Sequence, residues 1–485
     1  MIAIQNMILR DVYNWLGLRN AVTLFGRAET TITGICTDSR HIKTGDLFIA
    51  IVGESMDGHD FIHQVQDVAG AVVVNRVIPG LKVPAIVVSD TRQALGEIAL
   101  GYRNQFTLPL VSIAGSNGKT TVKEMLSAIA AQAVGADARL STQGNLNNDL
   151  GVPFTLLRLK SEHQLGVIEI GMNHPGEIAW IASLVKAQVA FVNNAQREHQ
   201  EFMESVEATA VENGASISAL NQAGVAVFPF DDKCRNIWRG LAGERRRIEF
   251  GLVHDTNAAL AADANVSYVF TNTSSTTDKF DIFYKTLGKT QSVQASVNID
   301  GLHNVKNALG AAACALALGI DLSIVAKGLS VFEPARGRLV RHSLSKDLQL
   351  IDDSYNANPD SVRAAISILA SVNHTSVLVL GDMGEVGANG PQFHQEVGEF
   401  AKAQGIQHLL LLGQATRDTV MAAGDIAEHF DDITLLIQRA KSLAQAPATI
   451  LVKGSRFMKM ERVVQALIEP INAIEVENAK AQHVA

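Results

Sequence analysis

Leu110-Val111-Ser112-Ile113-Ala114-Gly115-Ser116-Asn117-Gly118-Lys119-Thr120-Thr121-Val122-Lys123 decides how this chain is read. An apolar run short enough for a buried strand leads into a Gly-Ser-Asn-Gly-Lys-Thr turn, and an Ala-rich stretch through Ala131 follows with helical character. Strand, glycine turn, Lys-Thr and helix in that order form a phosphate-binding loop. Gly115 and Gly118 let the backbone fold back, so that N–H groups from Gly115, Ser116, Asn117, Gly118, Lys119, Thr120 and Thr121 are available to phosphate oxygens. Lys119 brings a point charge to the outer phosphates, and the Thr120 hydroxyl suits a Mg²⁺ ion riding on them. The loop is shorter than the usual Walker pattern, because Ile113 stands where the first glycine belongs.

The rest of the composition fits an α/β architecture. A length of 485 residues predicts about three domains. An apolar content of 47% supplies buried cores, and few aromatics with many Ala and Gly favour alternating strands and helices. The net charge is −8, and the only dense basic run is Arg245-Arg246-Arg247, which argues against nucleic acid as a partner. The three cysteines, Cys36, Cys234 and Cys314, lie far apart without metal-ligand spacing, so a reduced, cytoplasmic protein is expected. The longest apolar stretch, Ala308 to Ile320, is 13 residues long and too short to span a bilayer.

Working outward, residues 1 to 108 read as a small α/β module with strands at Thr31–Cys36, Asp46–Ile51, Ala71–Val74 and Ala85–Val88. In its turn Thr37-Asp38-Ser39-Arg40, Asp38 suits local backbone capping. Arg40 beside Ser39 either does the same or binds a diphosphate, since a guanidinium matches phosphate oxygens in pairs. Past the phosphate loop, Ser141 to Asp149 gathers amides and hydroxyls, either as a solvated turn or as a substrate-facing loop. Leu165-Gly166-Val167-Ile168-Glu169-Ile170-Gly171 then reads as a buried strand with its acid 50 residues after Lys119. An acid at a strand end beside a phosphate loop is the expected second Mg²⁺ anchor. His199 follows the strand Val189–Val192 and is either a surface residue or part of the same edge. Asn304 and Asn307, one helical turn apart, serve either helix capping or contact with a nucleotide base. After Pro334-Ala335-Arg336-Gly337-Arg338, four strands (Leu348–Ile351, Val377–Leu380, Leu409–Leu412, Ile450–Val452) each end in a turn rich in functional side chains. Parallel sheets present ligands to such turns, so one edge facing a shared cleft is expected. Glu477–Ala485 reads as a frayed tail.

These signals resemble, in order and over nearly the whole chain, the Mur ligases, the ATP-dependent amide-forming enzymes of peptidoglycan synthesis. The likeness rests on Thr37-Asp38-Ser39-Arg40, Gly115 to Thr121, Gly144-Asn145-Leu146-Asn147-Asn148, Glu169 to Glu177, His303-Asn304-Val305-Lys306-Asn307, Asp352 to Pro359, Gly381-Asp382-Met383-Gly384-Glu385 and Lys453-Gly454-Ser455-Arg456. It is greatest to the branch that adds D-alanyl-D-alanine to UDP-N-acetylmuramoyl-tripeptide. The resemblance implies a UDP-sugar domain over residues 1–108, a central ATPase domain with a mainly parallel sheet over 109–334, and a Rossmann-like domain over 335–485. That last domain would bind nucleotide and the incoming dipeptide. It also implies an acyl phosphate made from the tripeptide carboxylate and ATP, then attacked by the dipeptide amine.

Residue by residue, the resemblance implies that Lys119 bridges the β- and γ-phosphates and that Thr120 and Glu169 hold Mg²⁺. His199 would help to hold a second metal. Asn304, Asn307 and Arg338 would contact the nucleotide. Ser39, Arg40, Asn145 and Asn148 would face the UDP-sugar substrate, and Asn356 and Asn358 the dipeptide. Such ligases commonly carry a carbamylated lysine past the His-containing turn, but this chain has no lysine between His199 and Lys233. Glu212, with Glu207 as the other candidate, is the expected anionic substitute. Ligands are thus ATP, Mg²⁺, UDP-N-acetylmuramoyl-tripeptide and D-Ala-D-Ala, in a cytoplasmic monomer. The alternatives are a diaminopimelate- or lysine-adding ligase, a folylpolyglutamate-type ligase, and, outside catalysis, an ATP-sensing module. Against the first, Asp360 follows Asn356-Ala357-Asn358-Pro359 where the diaminopimelate signature has Arg.

Overall fold

A computed structural model describes residues 2–18, 22–198, 200–256, 260–261, 263–274, 276–445 and 447–469. The expected tail Glu477–Ala485 and His199 lie outside the described residues. The chain builds three sheets in sequence order, of six, nine and six strands. In the first, Thr31–Cys36, Asp46–Ile49, Ala71–Val74 and Ala85–Val87 run parallel, between antiparallel edges Ile2–Ile8 and Thr23–Phe25. All four expected strands are there.

The phosphate-loop strand Leu110–Ala114 sits inside the nine-stranded sheet, and all of its residues are buried, as a strand covered on both faces requires. From it the chain passes through the helix Lys119–Val134 to the edge strand Arg139–Ser141 and returns to Leu165–Glu169, its neighbour on one side. It then crosses to Val189–Val192, the neighbour on the other side. The strand order therefore reverses around Leu110–Ala114, and the crevice at the carboxyl ends of such strands is where an open α/β sheet binds ligands. Val225–Pro229, Arg246–Val253 and Val266–Asn272 continue the parallel run. An antiparallel hairpin, Phe280–Thr286 and Lys289–Ala295, closes the far edge.

In the third sheet Leu348–Asp353, Ala448–Lys453, Thr375–Gly381, His408–Leu412 and Ala427–Phe430 are parallel, and Val340–Ser345 is an antiparallel edge. Its two faces bury separate apolar clusters. The first and second sheets are joined more closely. One buried cluster runs from Leu9, Leu16 and Ile98 to Ile168, Ile178 and Ile181. The helix Thr91–Arg103 carries that junction, and its Arg103 is buried. The guanidinium donates to the carbonyls of Phe106, Leu108 and Val185, so no donor-rich head is stranded in the interior. Burial lowers the Arg103 pKa from its ordinary value. The apolar stretch from Ala308 forms most of the helix Leu302–Ala317, buried along nearly its whole length. Among the described residues no helix is long and apolar enough to cross a membrane.

Candidate active site

A cleft of about 680 Å³ opens at the carboxyl ends of the central strands and is roofed by the turns of the third sheet. The phosphate loop forms its floor. Gly118 has φ +81° and ends the loop where the helix Lys119–Val134 begins. A Cβ there would stand 2.5 Å from Asn193 Nδ2 and 2.7 Å from Asn307 Oδ1, so both backbone sign and space demand glycine. The first N–H groups of the loop are already taken. Gly115 donates to Asn213 Oδ1 (3.1 Å), Ser116 to the Asn194 carbonyl (3.2 Å) and Asn117 to Asn194 Oδ1 (2.9 Å). Asn193 and Asn194 donate back to the Asn117 carbonyl at 2.7 and 3.0 Å. The donors left for an anion are those of the first helical turn, which have no intrahelical acceptors. This narrows the sequence expectation, which offered phosphate every N–H from Gly115 onward.

Lys119 folds back over the loop. Its ammonium donates to the Gly115 carbonyl, to the Ser116 carbonyl at 3.0 Å and to Glu198 at 3.0 Å, and both charged side chains are nearly buried. Beside it, Thr120 Oγ1 donates to Glu169 Oε1 at 3.2 Å, and Asn147 Nδ2 donates to the same oxygen at 2.8 Å. Glu169 Oε2 is buried with no hydrogen-bond partner. A buried carboxylate oxygen left bare is costly, and beside a phosphate loop it fits a divalent cation. Among the described residues no three His, Cys, Asp or Glu side chains form a metal cage.

Asn304 and Asn307 both line the cleft as one chain of amides: Asn193 donates to Asn307 at 2.8 Å, and Asn307 to Asn304 at 2.9 Å. Asn145 and Asn148 line the cleft too, and Asn148 Oδ1 also accepts from the Gly151 N–H at the start of the helix Gly151–Leu156. From the third sheet, Arg338 reaches Thr120 Oγ1 at 3.1 Å while its guanidinium lies 4.3 Å from the Tyr355 ring centre. Asn358 caps the helix Pro359–Leu369 through Ser361, and its amide pairs with that of Asn117 at 2.8 and 3.3 Å. Asn356 lines the wall, and its carbonyl accepts from Lys453, which also pairs with Asp353 at 2.6 Å. Burial pushes the Asp353 carboxyl up from its ordinary value although Lys453 beside it pulls the other way.

Glu212, Ser39 and Arg40, each expected to meet a ligand, lie outside the lining of this cleft. Glu212 does not line the cleft: its two oxygens accept from the N–H groups of Gly176 and Ile178, both at 2.9 Å, and so cap the helix Glu177–Val185. A carboxylate at a helix start is favoured by the unpaired N–H groups there, which explains this acid without a metal. Glu212→Ala is therefore expected to lower stability by about 1 kcal/mol, read as a drop in thermal midpoint, while Mg²⁺ dependence stays as it was. A changed Mg²⁺ requirement at unchanged midpoint would restore the metal role. Ser39 and Arg40 are also outside the cleft lining. Arg40 binds Asp38 within its own turn, at 2.9 and 2.8 Å, and is 80% exposed. That pairing holds the Asp38 carboxyl well below the usual carboxylate range.

Sequence reasoning gave no role to Asn147, Asn193, Asn194, Glu198 or Asp360, all of which line the cleft. The usable signal was position. Asn193 and Asn194 directly follow the strand Val189–Val192 on the loop side, and Glu198 precedes a histidine already marked.

Family comparisons agree over all three regions. Models described as the Mur ligase family catalytic domain, the Mur ligase middle domain and the Mur ligase glutamate ligase domain match residues 31–103, 113–315 and 336–456. The UDP-N-acetylmuramoyl-tripeptide–D-alanyl-D-alanine ligase of Escherichia coli (strain K12) is 41% identical over 91% of this chain and 95% of its own. The ligase of that name from Haemophilus influenzae is 34% identical over 92% and 96%. Among solved structures, MurF from Acinetobacter baumannii superposes with TM-score 0.86 at 31% identity, covering 96% of this chain and all of its own. MurF from Thermotoga maritima, solved with ADP, has TM-score 0.78 at 22% identity, a likeness of fold, over 92% of this chain and 98% of its own.

Proposed function

The chain belongs to the Mur ligase family, and from that premise we infer that it joins D-alanyl-D-alanine to UDP-N-acetylmuramoyl-tripeptide with cleavage of ATP to ADP and phosphate. The reading is carried by one observation: Lys119, Thr120 and Glu169 share a single cleft with Arg338, Asn356 and Asn358 from the third sheet. A phosphate site and an acceptor wall meeting in one cavity is what a two-step ligase needs.

In the first step an oxygen of the tripeptide carboxylate attacks the γ-phosphorus, the new O–P bond forms, and the bond to the β-phosphate oxygen breaks. The protein supplies position and charge for this transfer, since little covalent chemistry is asked of it. Lys119 carries positive charge to the outer phosphates, and the N–H groups that open the helix Lys119–Val134 carry the rest. Thr120 and Glu169 would hold Mg²⁺, which when bound neutralises charge on the phosphates. In the second step the amine nitrogen attacks the acyl carbon, the C–N bond forms, the C–O bond to phosphate breaks, and a proton leaves the nitrogen. Asn356, Asn358 and Asp360 stand on the wall from which the amine would approach. Asn304 and Asn307 would face the nucleotide, and Asn145 and Asn148 the sugar-linked substrate. The three regions 1–108, 109–334 and 335–485 would serve as UDP-sugar, ATPase and acceptor domains of a cytoplasmic monomer.

The test is phosphate release with each amine acceptor in turn. Release is expected only when UDP-N-acetylmuramoyl-tripeptide and D-Ala-D-Ala are both present. Equal release with diaminopimelate or glutamate as acceptor would overturn the assignment.

A further inference from the structure

We propose that Arg197 is a positioning residue for the acceptor half of the reaction, clamping the turn over residues 356–360 onto the phosphate loop. This rests on the reading of the chain as a D-alanyl-D-alanine-adding ligase. Arg197 follows the central strand Val189–Val192, but all its side-chain partners belong to the third sheet region. Its Nε and Nη2 reach both oxygens of Asp360 at 2.8 to 3.3 Å, and its backbone N–H donates to Asp360 Oδ2 at 3.0 Å. Nη1 donates to Glu396 at 2.6 Å, and the guanidinium lies 4.9 Å from the Phe393 ring centre. All three charged side chains are about three-quarters buried. The two carboxylates outweigh desolvation and raise the Arg197 pKa.

Its neighbours in sequence face the other way. Gln196 accepts from Asn117 Nδ2 at 2.6 Å and donates its N–H to Ser116 Oγ at 3.0 Å, and Glu198 pairs with Lys119. Residues 196–198 thus form a strap whose ends hold the phosphate loop and whose middle holds the acceptor wall. Asp360 stands two residues after Asn358, whose amide meets Asn117 across the cleft. The clamp and that amide pair fix the same turn.

A planar fork taking a carboxylate with two donors sets orientation as well as distance, which an ammonium does not. Loosening it displaces the acceptor wall while leaving the phosphate donors in place. Water then competes for the acyl phosphate: its oxygen attacks the acyl carbon, the C–O bond to phosphate breaks, and the products are the original carboxylate, phosphate and a proton.

Arg197→Ala and Arg197→Lys are compared with wild type by circular dichroism, by calorimetric titration with ADP, by KM for D-Ala-D-Ala and ATP, and by phosphate released per amide bond formed. ADP affinity is expected to stay within about twofold, while KM for the dipeptide rises about tenfold or more in Arg197→Ala and less in Arg197→Lys. Phosphate release is expected to exceed amide formation in the alanine variant. A merely structural role would not divide the two substrates in this way. Unchanged dipeptide KM and unchanged coupling in a folded variant would overturn the proposal, as would a parallel loss of ADP binding. If Arg197→Ala does not fold, Arg197→Lys decides, and wild-type behaviour there overturns it. Failure of the wild-type chain to use D-Ala-D-Ala would count instead against the parent reading.

Discussion

Lys119→Ala is expected to remove nearly all ligation from a chain that still folds. The lysine lies at the mouth of the phosphate loop with its ammonium aimed at two loop carbonyls and Glu198. Removing a charge that stabilises a transferring phosphoryl group costs about 10²–10³ in kcat or more. The variant also removes the Lys119–Glu198 ion pair from a nearly buried place. A loss of stability of about 1 kcal/mol is therefore expected alongside the loss of activity. Phosphate release and thermal unfolding, measured on the same preparation, separate the two effects. A folded variant retaining more than about a tenth of wild-type turnover would overturn this role.

Glu169→Gln should cost nearly as much, by a different route. The substitution keeps an acceptor oxygen for Thr120 and Asn147 but puts a neutral NH₂ in place of the bare, buried second oxygen. Without a cation that oxygen is a liability, because burying an uncompensated carboxylate is unfavourable. Glutamine at this position should therefore raise the thermal midpoint in metal-free buffer. It should also abolish any stabilisation by Mg²⁺ with ADP and lower kcat by about 10² or more. A Mg²⁺ titration of turnover that matches wild type would show that Glu169 is not the anchor.

The parallel sheets were readable because their strands are short, continuous apolar runs bounded by polar turns. Leu110–Ala114, Ala71–Val74 and Val189–Val192 begin and end where expected. The phosphate loop was equally plain, since glycine and lysine are needed there for backbone sign and charge. Roles that depend on what lies opposite a side chain were not readable. Glu212 was expected to stand in for the carbamylated lysine, and only the approach of residues 176–178 shows its contacts with a helix start. Arg40 was read as either a local cap or a diphosphate ligand, and its pairing with Asp38, two residues away, shows the local contact. Arg197 carried no signal at all, because Asp360 and Glu396 lie 163 and 199 residues further along. Asn147 was hidden among similar amides, and its importance comes from the single oxygen of Glu169 that it orients.

The Lys119–Glu198 pair has a consequence for the resting protein. A cleft built to attract several negative charges would, if left bare, hold a cation in a poorly solvated cavity. Glu198 supplies a counter-anion from within the chain, so a phosphate that reaches Lys119 competes with a carboxylate already beside it. Nucleotide capture is then an exchange of one anion for another, and the loop holds phosphate less tightly than the charge of Lys119 alone would allow.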